Sequence, residues 1–123
     1  MSKFKIMLSS PMAGKSKEEI DSERNEMANL LFDYYGDDNC EIISSVVEDH
    51  EQKSPLECLS ESIFFMSKAD VLAMGFGWEN ARGCKLEHEI AKAYGVPVIY
   101  LDGNEKKAKR DFTSRGLYDD NSE

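Results

Sequence analysis

A chain of 123 residues with 41% hydrophobic and 10% aromatic residues is about one domain long and can bury its own core, which excludes a disordered protein. Its 24 acidic residues outnumber its 15 basic ones, and the net charge of -9 repels a phosphate backbone, so we expect no nucleic-acid polymer as a partner. An acidic decoy for a DNA-binding protein stays an open alternative.

The first strand and helix are predicted by a short apolar run followed by a helical period. Residues 4–9 are too few for a helix and end at a Ser-Pro pair, which indicates a buried strand. Residues 17–35 carry apolar side chains at helical spacing, with Ser16 as the N-cap and Gly36 as the stop. We therefore expect a strand and then a long helix.

A second strand and helix follow. Residues 41–47 are rich in β-branched side chains and predict a strand, and a polar loop follows at residues 48–53. Ser54, Pro55 and Glu57 then form the pattern of a capping box with proline at the first helical position. A second helix is expected to begin there.

The rest of the chain predicts two strands, one helix and a tail. Residues 70–76 and 96–101 are apolar strands, and residues 85–94 form a helix that Gly95 closes. Residues 103–123 are charged or polar without an apolar period, so we expect a short helix and a frayed tail there.

The element order βαβαβαβ, with strands that are nearly continuous apolar runs, predicts an α/β fold. We expect a single doubly wound parallel sheet of the flavodoxin-like kind, with right-handed crossovers. Residues 1–102 would form this domain, and residues 103–123 a polar C-terminal extension.

The three cysteines, Cys40, Cys58 and Cys84, are widely spaced, so we expect reduced thiols, no disulfide framework and no metal site. No apolar stretch approaches the roughly 20 residues that cross a bilayer, and the first residues lead into a strand rather than a signal peptide. We expect a cytoplasmic protein that has no membrane partner and needs no cofactor.

A flavodoxin-like sheet binds ligands beyond the carboxyl ends of its first and third strands. The loops after these strands, residues 9–16 and 75–83, hold four of the eight glycines and the only tryptophan. The expected substrate-binding residues are Ser9, Ser10, Pro11, Met12, Lys15 and Ser16 in the first loop, and Gly77, Trp78, Asn80, Arg82 and Gly83 in the second.

The first loop is similar to a phosphate-binding loop, because Gly14, Lys15 and Ser16 lie between a strand and a helix. A Walker A motif needs a glycine where this chain has Ser9, which disfavours hydrolysis of a nucleoside triphosphate. Backbone amides, Lys15 and Ser16 can still hold one phosphate at the helix start. A tight surface turn is the alternative.

Aromatic residues and glycines in the second loop favour contact with a nucleoside. Trp78 and Phe76 can stack on a base, or they can pack in the core or in a dimer. Gly77 and Gly83 let the backbone approach a ligand closely. Arg82 can fork onto a phosphate or carboxylate, or pair with a surface glutamate.

Glu87 lies in the first turn of the third predicted helix, where its carboxylate would face the same cleft. A glutamate in a first turn also suits the helix dipole, so spacing alone permits a purely structural role. His88, like His50, is expected to be solvated rather than a ligand or a base.

Several runs of the sequence resemble the nucleoside 2-deoxyribosyltransferase-like superfamily. They are the strand that ends in Ser-Ser-Pro-Met, the Ala-Asp pair that opens the third strand, and residues 83–87 and 91–99. The similarity is closest to a small uncharacterised branch of bacteria and their phages, the DUF4406-like branch, in which a Gly-Trp-Glu-x-x-x-Gly-x-x-x-Glu-His run occurs. Here that run spans residues 77–88, and the resemblance covers nearly the whole chain up to Leu101.

The resemblance implies that Glu87 attacks the anomeric carbon of a sugar, because residues 83–87 match the superfamily motif Gly-Thr-x-x-Glu with Cys84 in place of threonine. Such a carboxylate can stabilise or trap the oxocarbenium-like sugar as an N-glycosidic bond breaks. Transferases of the family carry an aspartate at Ala81 and a glycine at Ser10, so these departures favour hydrolysis of a nucleotide over transfer between bases. The family often forms homo-oligomers, and we expect one here.

We therefore expect cleavage or transfer at the N-glycosidic bond of a nucleoside or nucleoside monophosphate, with Glu87 as nucleophile. Two other classes stay open: a protein that binds or sequesters a nucleotide without converting it, and an acidic protein-interaction module. The base, the sugar and the need for a phosphate stay open with them.

Overall fold

The fold is built on one central sheet, against which helices pack. The computed structural model describes residues 3–43 and 52–110. The elements in this part of the chain are β1 (Phe4–Ser9), α1 (Lys17–Tyr35), β2 (Cys40–Ile43), α2 (Pro55–Met66), β3 (Val71–Met74), α3 (Arg82–Ala93), β4 (Val98–Asp102) and β5 (Lys107–Arg110), with a 3₁₀ turn at Trp78–Asn80.

The five strands lie in the order β2-β1-β3-β4-β5. β1 to β4 pair in parallel, while β5 runs antiparallel to β4. This confirms an α/β fold with a mostly parallel sheet, and the arrangement is compatible with a flavodoxin-like fold. In the part of the chain that the structure describes, no helix combines the length and the hydropathy needed to cross a membrane.

Two apolar clusters pack on the sheet, and alternate residues of β1 and β3 divide between them. One cluster joins Ile6 and Leu8 to Met27 and Leu31 of α1. The other joins Met7 and Met74 to side chains of α2 and α3, among them Met66, Cys84 and Ala91. β1 and β3 are therefore covered by side chains from helices on both sides, which explains why they read as unbroken apolar runs.

Both predicted capping boxes are present. The Ser16 hydroxyl accepts the Glu19 amide and the Glu19 side chain accepts the Ser16 amide, which fixes the start of α1. Ser54 and Glu57 do the same for α2, with Pro55 at the first helical position. These starts depend on four consecutive residues each, so the sequence predicts them correctly.

The C-terminal prediction was wrong in part, because residues 107–110 form a strand instead of a helix. This edge strand has one clearly buried apolar side chain, Ala108, and it gains its hydrogen bonds from β4. Such pairing needs no apolar period, so this strand could not be predicted from the pattern of residues. Residues 111–123 of the predicted extension lie outside the described residues.

Element ends differ from the predictions by a few residues. α3 begins at Arg82 rather than 85, and β4 covers Val98–Asp102 rather than 96–101. β2 is observed as Cys40–Ile43, while predicted strand residues 44–47, most of the polar loop at 48–53, and His50 lie outside the described residues.

Candidate active site

The Glu87 carboxylate lies at the carboxyl end of β1. Its Oε1 accepts a hydrogen bond from the Ser9 hydroxyl at 2.5 Å, and the two side chains belong to residues that are only 8% and 3% exposed. Ser9 is the last residue of β1 and is paired with Met74, the last residue of β3. A buried carboxylate is thus held at the end of two neighbouring central strands.

Glu87 is buried because it belongs to the inward face of α3. The buried residues of this helix are Cys84, Glu87, His88 and Ala91, which recur at the spacing of one helical face. Two of the four are polar or charged, on a face that would ordinarily be apolar. Burying such groups costs free energy unless they are hydrogen-bonded, so their partners must be identified.

Burial of Glu87 opposes ionisation of its carboxyl, and neighbouring groups offset part of this effect. Burial raises the pKa of the Glu87 carboxyl above its ordinary value, while hydrogen bonds from Ser9 and Ser62 and the charge of Arg24 act to lower that pKa. Four elements therefore converge on one carboxylate: β1 through Ser9, α1 through Arg24, α2 through Ser62, and α3, which carries Glu87.

Arg24 is a member of the site that sequence analysis missed. It follows Ile20 by four residues and precedes Met27 by three, so it lies on the inward face of α1. Its guanidinium donates to the Ser10 hydroxyl at 3.0 Å and approaches the Leu8 carbonyl at 3.4 Å. Burial lowers the pKa of Arg24, and the carboxylate of Glu87 opposes that effect.

A pattern in the sequence could have identified Arg24 and Ser62. Each interrupts an apolar stripe: Arg24 does so in α1, and Ser62 follows Leu59 by three residues and precedes Met66 by four in α2. A charged or hydroxyl side chain in the middle of such a stripe needs a buried partner. Both stripes point to the same carboxylate.

Cys84 adjoins the same cluster. Burial is the main cause that raises the pKa of its thiol, and a hydrogen bond with Ser9 acts in the opposite direction. The thiol is therefore mostly neutral near pH 7, which is unlike a reactive cysteine. Cys40, Cys58 and Cys84 are all free thiols in this structure.

The two predicted ligand loops meet at the end of the sheet. The Gly75 amide donates to the Ser9 carbonyl at 2.7 Å, and a Cβ added at Gly75 would lie 2.9 Å from the Ser10 Cβ. This approach is possible because Gly75 has no side chain. The structure thus brings the first residues of both loops together beside Glu87.

The rest of the first loop is held by charged residues of α1. Lys15 Nζ contacts Glu23 Oε1 at 2.6 Å, and both the amide and the hydroxyl of Ser16 belong to the capping box. Pro11 and Met12 are half-buried. Of the two side chains predicted to hold a phosphate, Lys15 therefore has a carboxylate partner, and the Ser16 hydroxyl accepts the Glu19 backbone amide.

In the second loop the backbone requires a glycine at one position. Gly77 has φ +76°, a left-handed conformation that disfavours other residues, and it opens the 3₁₀ turn at Trp78–Asn80. Asn80 and Arg82 are exposed. A Cβ at Gly83 would meet no described atom within 4 Å, so space remains beside the first turn of α3.

The prediction that His88 is solvated was wrong. His88 is 9% exposed, its Nε2 lies 2.6 Å from the Tyr100 hydroxyl, and its ring centroid is 4.4 Å from that of Trp78. The reason is its position four residues after Cys84 on the inward face of α3. Trp78 is also near Tyr100, with ring centroids 5.8 Å apart, and it packs against the apolar cluster on that side.

Phe76 differs from Trp78 in its surroundings. It packs against the cluster that includes α1, under the Lys106 ammonium at 5.6 Å from the ring centroid. Gly103 lies against the same ring, since a Cβ there would approach it to 3.2 Å. Phe76 thus has a packing role, and Trp78 is the better placed aromatic beside α3.

Fold and geometry together define an α/β domain with a buried, hydrogen-bonded glutamate at the carboxyl end of its central strands. Among the described residues, no group of three or more His, Cys, Asp or Glu side chains is arranged to hold a metal ion. The family profile that matches residues 4–100 is the domain of unknown function DUF4406, and the chain belongs to this family. No curated protein and no solved structure matches the chain.

Proposed function

We propose that this protein cleaves or transfers the N-glycosidic bond of a nucleoside or nucleoside monophosphate, with Glu87 as the nucleophile. The observation that carries the proposal is the Glu87 carboxylate, buried at the carboxyl ends of β1 and β3 and held by Ser9 at 2.5 Å. Parallel α/β sheets bind ligands at this edge, where adjacent strands lead to different sides. A doubly wound, flavodoxin-like sheet is part of the same proposal.

The chemistry requires a carboxylate that is ionised and oriented. Glu87 attacks the anomeric carbon, the C–N bond breaks, and the leaving base takes the electron pair and then a proton. Water, or a second base in a transfer reaction, then displaces the carboxylate and loses a proton as the sugar is released. Hydrogen bonds from Ser9 and Ser62 orient the carboxylate that both steps need.

The surroundings favour a nucleoside monophosphate over a nucleoside as the substrate. Trp78 offers an aromatic ring next to α3, and Gly83 leaves space beside its first turn. Arg82 is exposed and can fork onto a phosphate, with Lys15 and Ser16 as further candidates after they leave their glutamate partners. Because Ala81 has no polar side chain for the base, hydrolysis is favoured over transfer.

The test is chromatography of a panel of nucleosides and nucleoside monophosphates incubated with the protein, in search of free base. Glu87→Gln keeps the size of the side chain and removes its charge, and we expect it to abolish base release. Glu89→Gln is the matched control, because Glu89 is an exposed carboxylate on the same helix. Base released equally by the parent and by Glu87→Gln would reject Glu87 as the nucleophile.

A second candidate is a nucleotide-binding protein without catalysis. It is favoured by the low exposure of Glu87, 8%, and by the engagement of its Oε1 with Ser9, both typical of a structural carboxylate. A nucleotide recovered unchanged from the purified complex would support this candidate. The third class, an acidic interaction module, predicts that no nucleotide raises the melting temperature and that Trp78 becomes buried in a protein contact.

Two further parts of the proposal concern the whole protein. We propose a homo-oligomer, which size-exclusion chromatography with light scattering would detect. We also propose a cytoplasmic location, which the three free thiols support because reducing compartments preserve them.

A further inference from the structure

Arg24 and Glu87 carry opposite charges that act on each other, and Asp21 is a second negative charge that acts on Arg24. Arg24 comes from α1 and Glu87 from α3, and both act at the carboxyl end of β1. Arg24 lies between Ile20 and Met27 in an otherwise apolar stripe. Taking one charge out of water without a balancing partner is costly, so a lone charge at either position would be strongly unfavourable.

The geometry fixes where the Arg24 charge lies. The guanidinium donates to Ser10 Oγ at 3.0 Å and approaches the Leu8 carbonyl at 3.4 Å, so it bridges the residues on either side of Ser9. Ser9 is the residue that donates to Glu87. The arginine therefore holds the strand end that in turn holds the carboxylate.

We propose that Arg24 is a positioning residue of the site, whose guanidinium fixes the end of β1 and places a positive charge at the strand end that holds the Glu87 carboxylate. The inference rests on the proposed function, in which Glu87 must attack as a carboxylate. It adds a cation on α1 to a site whose expected residues all lie in the two loops and α3. A lysine could supply the charge, but it lacks the guanidinium nitrogen Nη1, which contacts both the Ser10 hydroxyl and the Leu8 carbonyl.

The groups that face Glu87 are few enough for its ionisation to be assigned. They are the hydroxyl of Ser9 from β1, the hydroxyl of Ser62 from α2, and the guanidinium of Arg24 from α1, with the neutral Cys84 thiol on α3 itself. Arg24 is the only cation among the groups that act on Glu87 in the described residues. Removing its charge should therefore favour the protonated form of Glu87.

The first experiment measures ionisation directly and needs no substrate. The ¹³C resonance of the Glu87 side-chain carboxyl, assigned by its loss in Glu87→Gln, is followed against pH in the parent, Arg24→Gln, Arg24→Lys and Lys17→Gln. We expect the midpoint to move to higher pH in Arg24→Gln and to return most of the way in Arg24→Lys. Lys17→Gln removes the same charge from an exposed position of α1 and should leave the midpoint in place.

An unchanged midpoint in Arg24→Gln, or an equal shift in Lys17→Gln, would overturn the proposal. The second experiment covers the case in which Arg24→Gln does not fold. If the two charges balance each other, the double variant Arg24→Gln with Glu87→Gln should be more stable to denaturant than Arg24→Gln alone. A double variant no more stable than Arg24→Gln would also overturn it.

Activity gives a third and separate readout. If base release is found, the acid limb of the kcat profile should move to higher pH in Arg24→Gln, with KM changed less than kcat. If no substrate is cleaved, the proposed function fails, while the titration and the double variant still decide whether Arg24 controls the ionisation of Glu87. The two failures are therefore distinguishable.

Discussion

Ser9 joins the backbone of the sheet to the chemistry of the site. Its hydroxyl donates to Glu87, its carbonyl accepts the Gly75 amide, and its neighbours Leu8 and Ser10 contact Arg24. A small hydroxyl side chain at a strand end is thus surrounded by one carboxylate, one arginine and the next loop. Its replacement should affect both the stability of the fold and the ionisation of Glu87.

Ser9→Ala removes the donor to a carboxylate that remains buried. We expect a loss of about 1–3 kcal/mol in the free energy of unfolding, the usual cost of an unsatisfied buried group. Denaturant unfolding followed by far-UV circular dichroism measures it. Ser22→Ala is the control, since Ser22 is exposed in α1 and its loss should cost under about 0.5 kcal/mol. Equal losses in the two variants would contradict this role for Ser9.

Substitution of glycine by alanine is expected to have opposite effects on stability at Gly77 and at Gly83. Gly77→Ala places a Cβ on a residue at φ +76° and should destabilise the fold by about 1–2 kcal/mol. Gly83→Ala adds a Cβ in open space within α3 and should stabilise it by about 0.5–1 kcal/mol. Thermal unfolding compares the variants.

Binding gives a second readout for Gly83. If a ligand approaches the backbone there, Gly83→Ala should weaken nucleotide binding, measured by titration calorimetry, while it raises the melting temperature. Unchanged affinity together with higher stability would remove Gly83 from the site. The comparison separates a functional glycine from a merely tolerated one.

The helices begin through contacts between residues close in sequence, whereas they pack through contacts between residues far apart in sequence. Ser16 caps α1 through Glu19, and Ser54 caps α2 through Glu57, within segments of four residues. Ser16 was also predicted to hold a phosphate. Two different substitutions of Ser16 can separate its capping role from a role in phosphate binding.

Ser16→Asp keeps a good N-cap acceptor but adds a negative charge. We expect it to leave the free energy of unfolding nearly unchanged, whereas Ser16→Ala should lower it by about 1 kcal/mol. If Ser16 contacts a phosphate, Ser16→Asp should weaken binding of a nucleoside monophosphate and spare the nucleoside. Equal effects on both ligands would leave Ser16 with the capping role alone.

Features that depend on local contacts could be predicted from the sequence, and features that depend on contacts distant in sequence could not. The helix starts and the apolar runs of β1 and β3 were predictable, because their signals lie within a few residues. β5 was not, since one buried alanine and pairing with β4 stabilise it. His88 was misjudged because its burial depends on Tyr100 and Trp78 across the fold.

The site, like the fold, was predicted only in part. Glu87 and Ser9 were both named from the sequence, but their direct contact was not, and Arg24 and Ser62 were missed. Only the three-dimensional fold brings α1 and α2 to the end of β1. The interrupted apolar stripes of these helices are the signal that would have identified both residues.

The turn between β4 and β5 contributes to the response of the whole protein to acid. Asp102 accepts the amides of Asn104 and Glu105 and contacts Lys109 Nζ at 3.0 Å. The hydrogen bond from the Glu105 amide is the main cause that lowers the Asp102 pKa from 3.8 to about 2. A group whose folded pKa is depressed stabilises the fold above its unfolded pKa and loses that effect as pH falls.

We therefore expect the free energy of unfolding to decrease as pH falls from 3.8 towards 2, in part because of Asp102. Asp102→Asn should flatten this decrease, and Lys109→Gln should flatten it less, since the amide donors remain. Urea unfolding at a series of acid pH values measures the slope. A slope in Asp102→Asn as steep as in the parent would contradict this account. Glu87 works in the opposite direction, because its raised pKa favours the folded state at low pH.

The contact between Ser9 and Glu87 spans 78 positions of the chain, and β1 is synthesised before both of its sheet neighbours. Closing so large a loop carries an entropic cost that local helix formation does not. The Met7 face of β1 must therefore wait until β3 and α3 have been made, whereas Ile6 and Leu8 can already pack against α1. On the ribosome, Glu87 can reach its buried environment only after α3 has been made, so the nascent chain holds β1, α1 and α2 before it can hold a site.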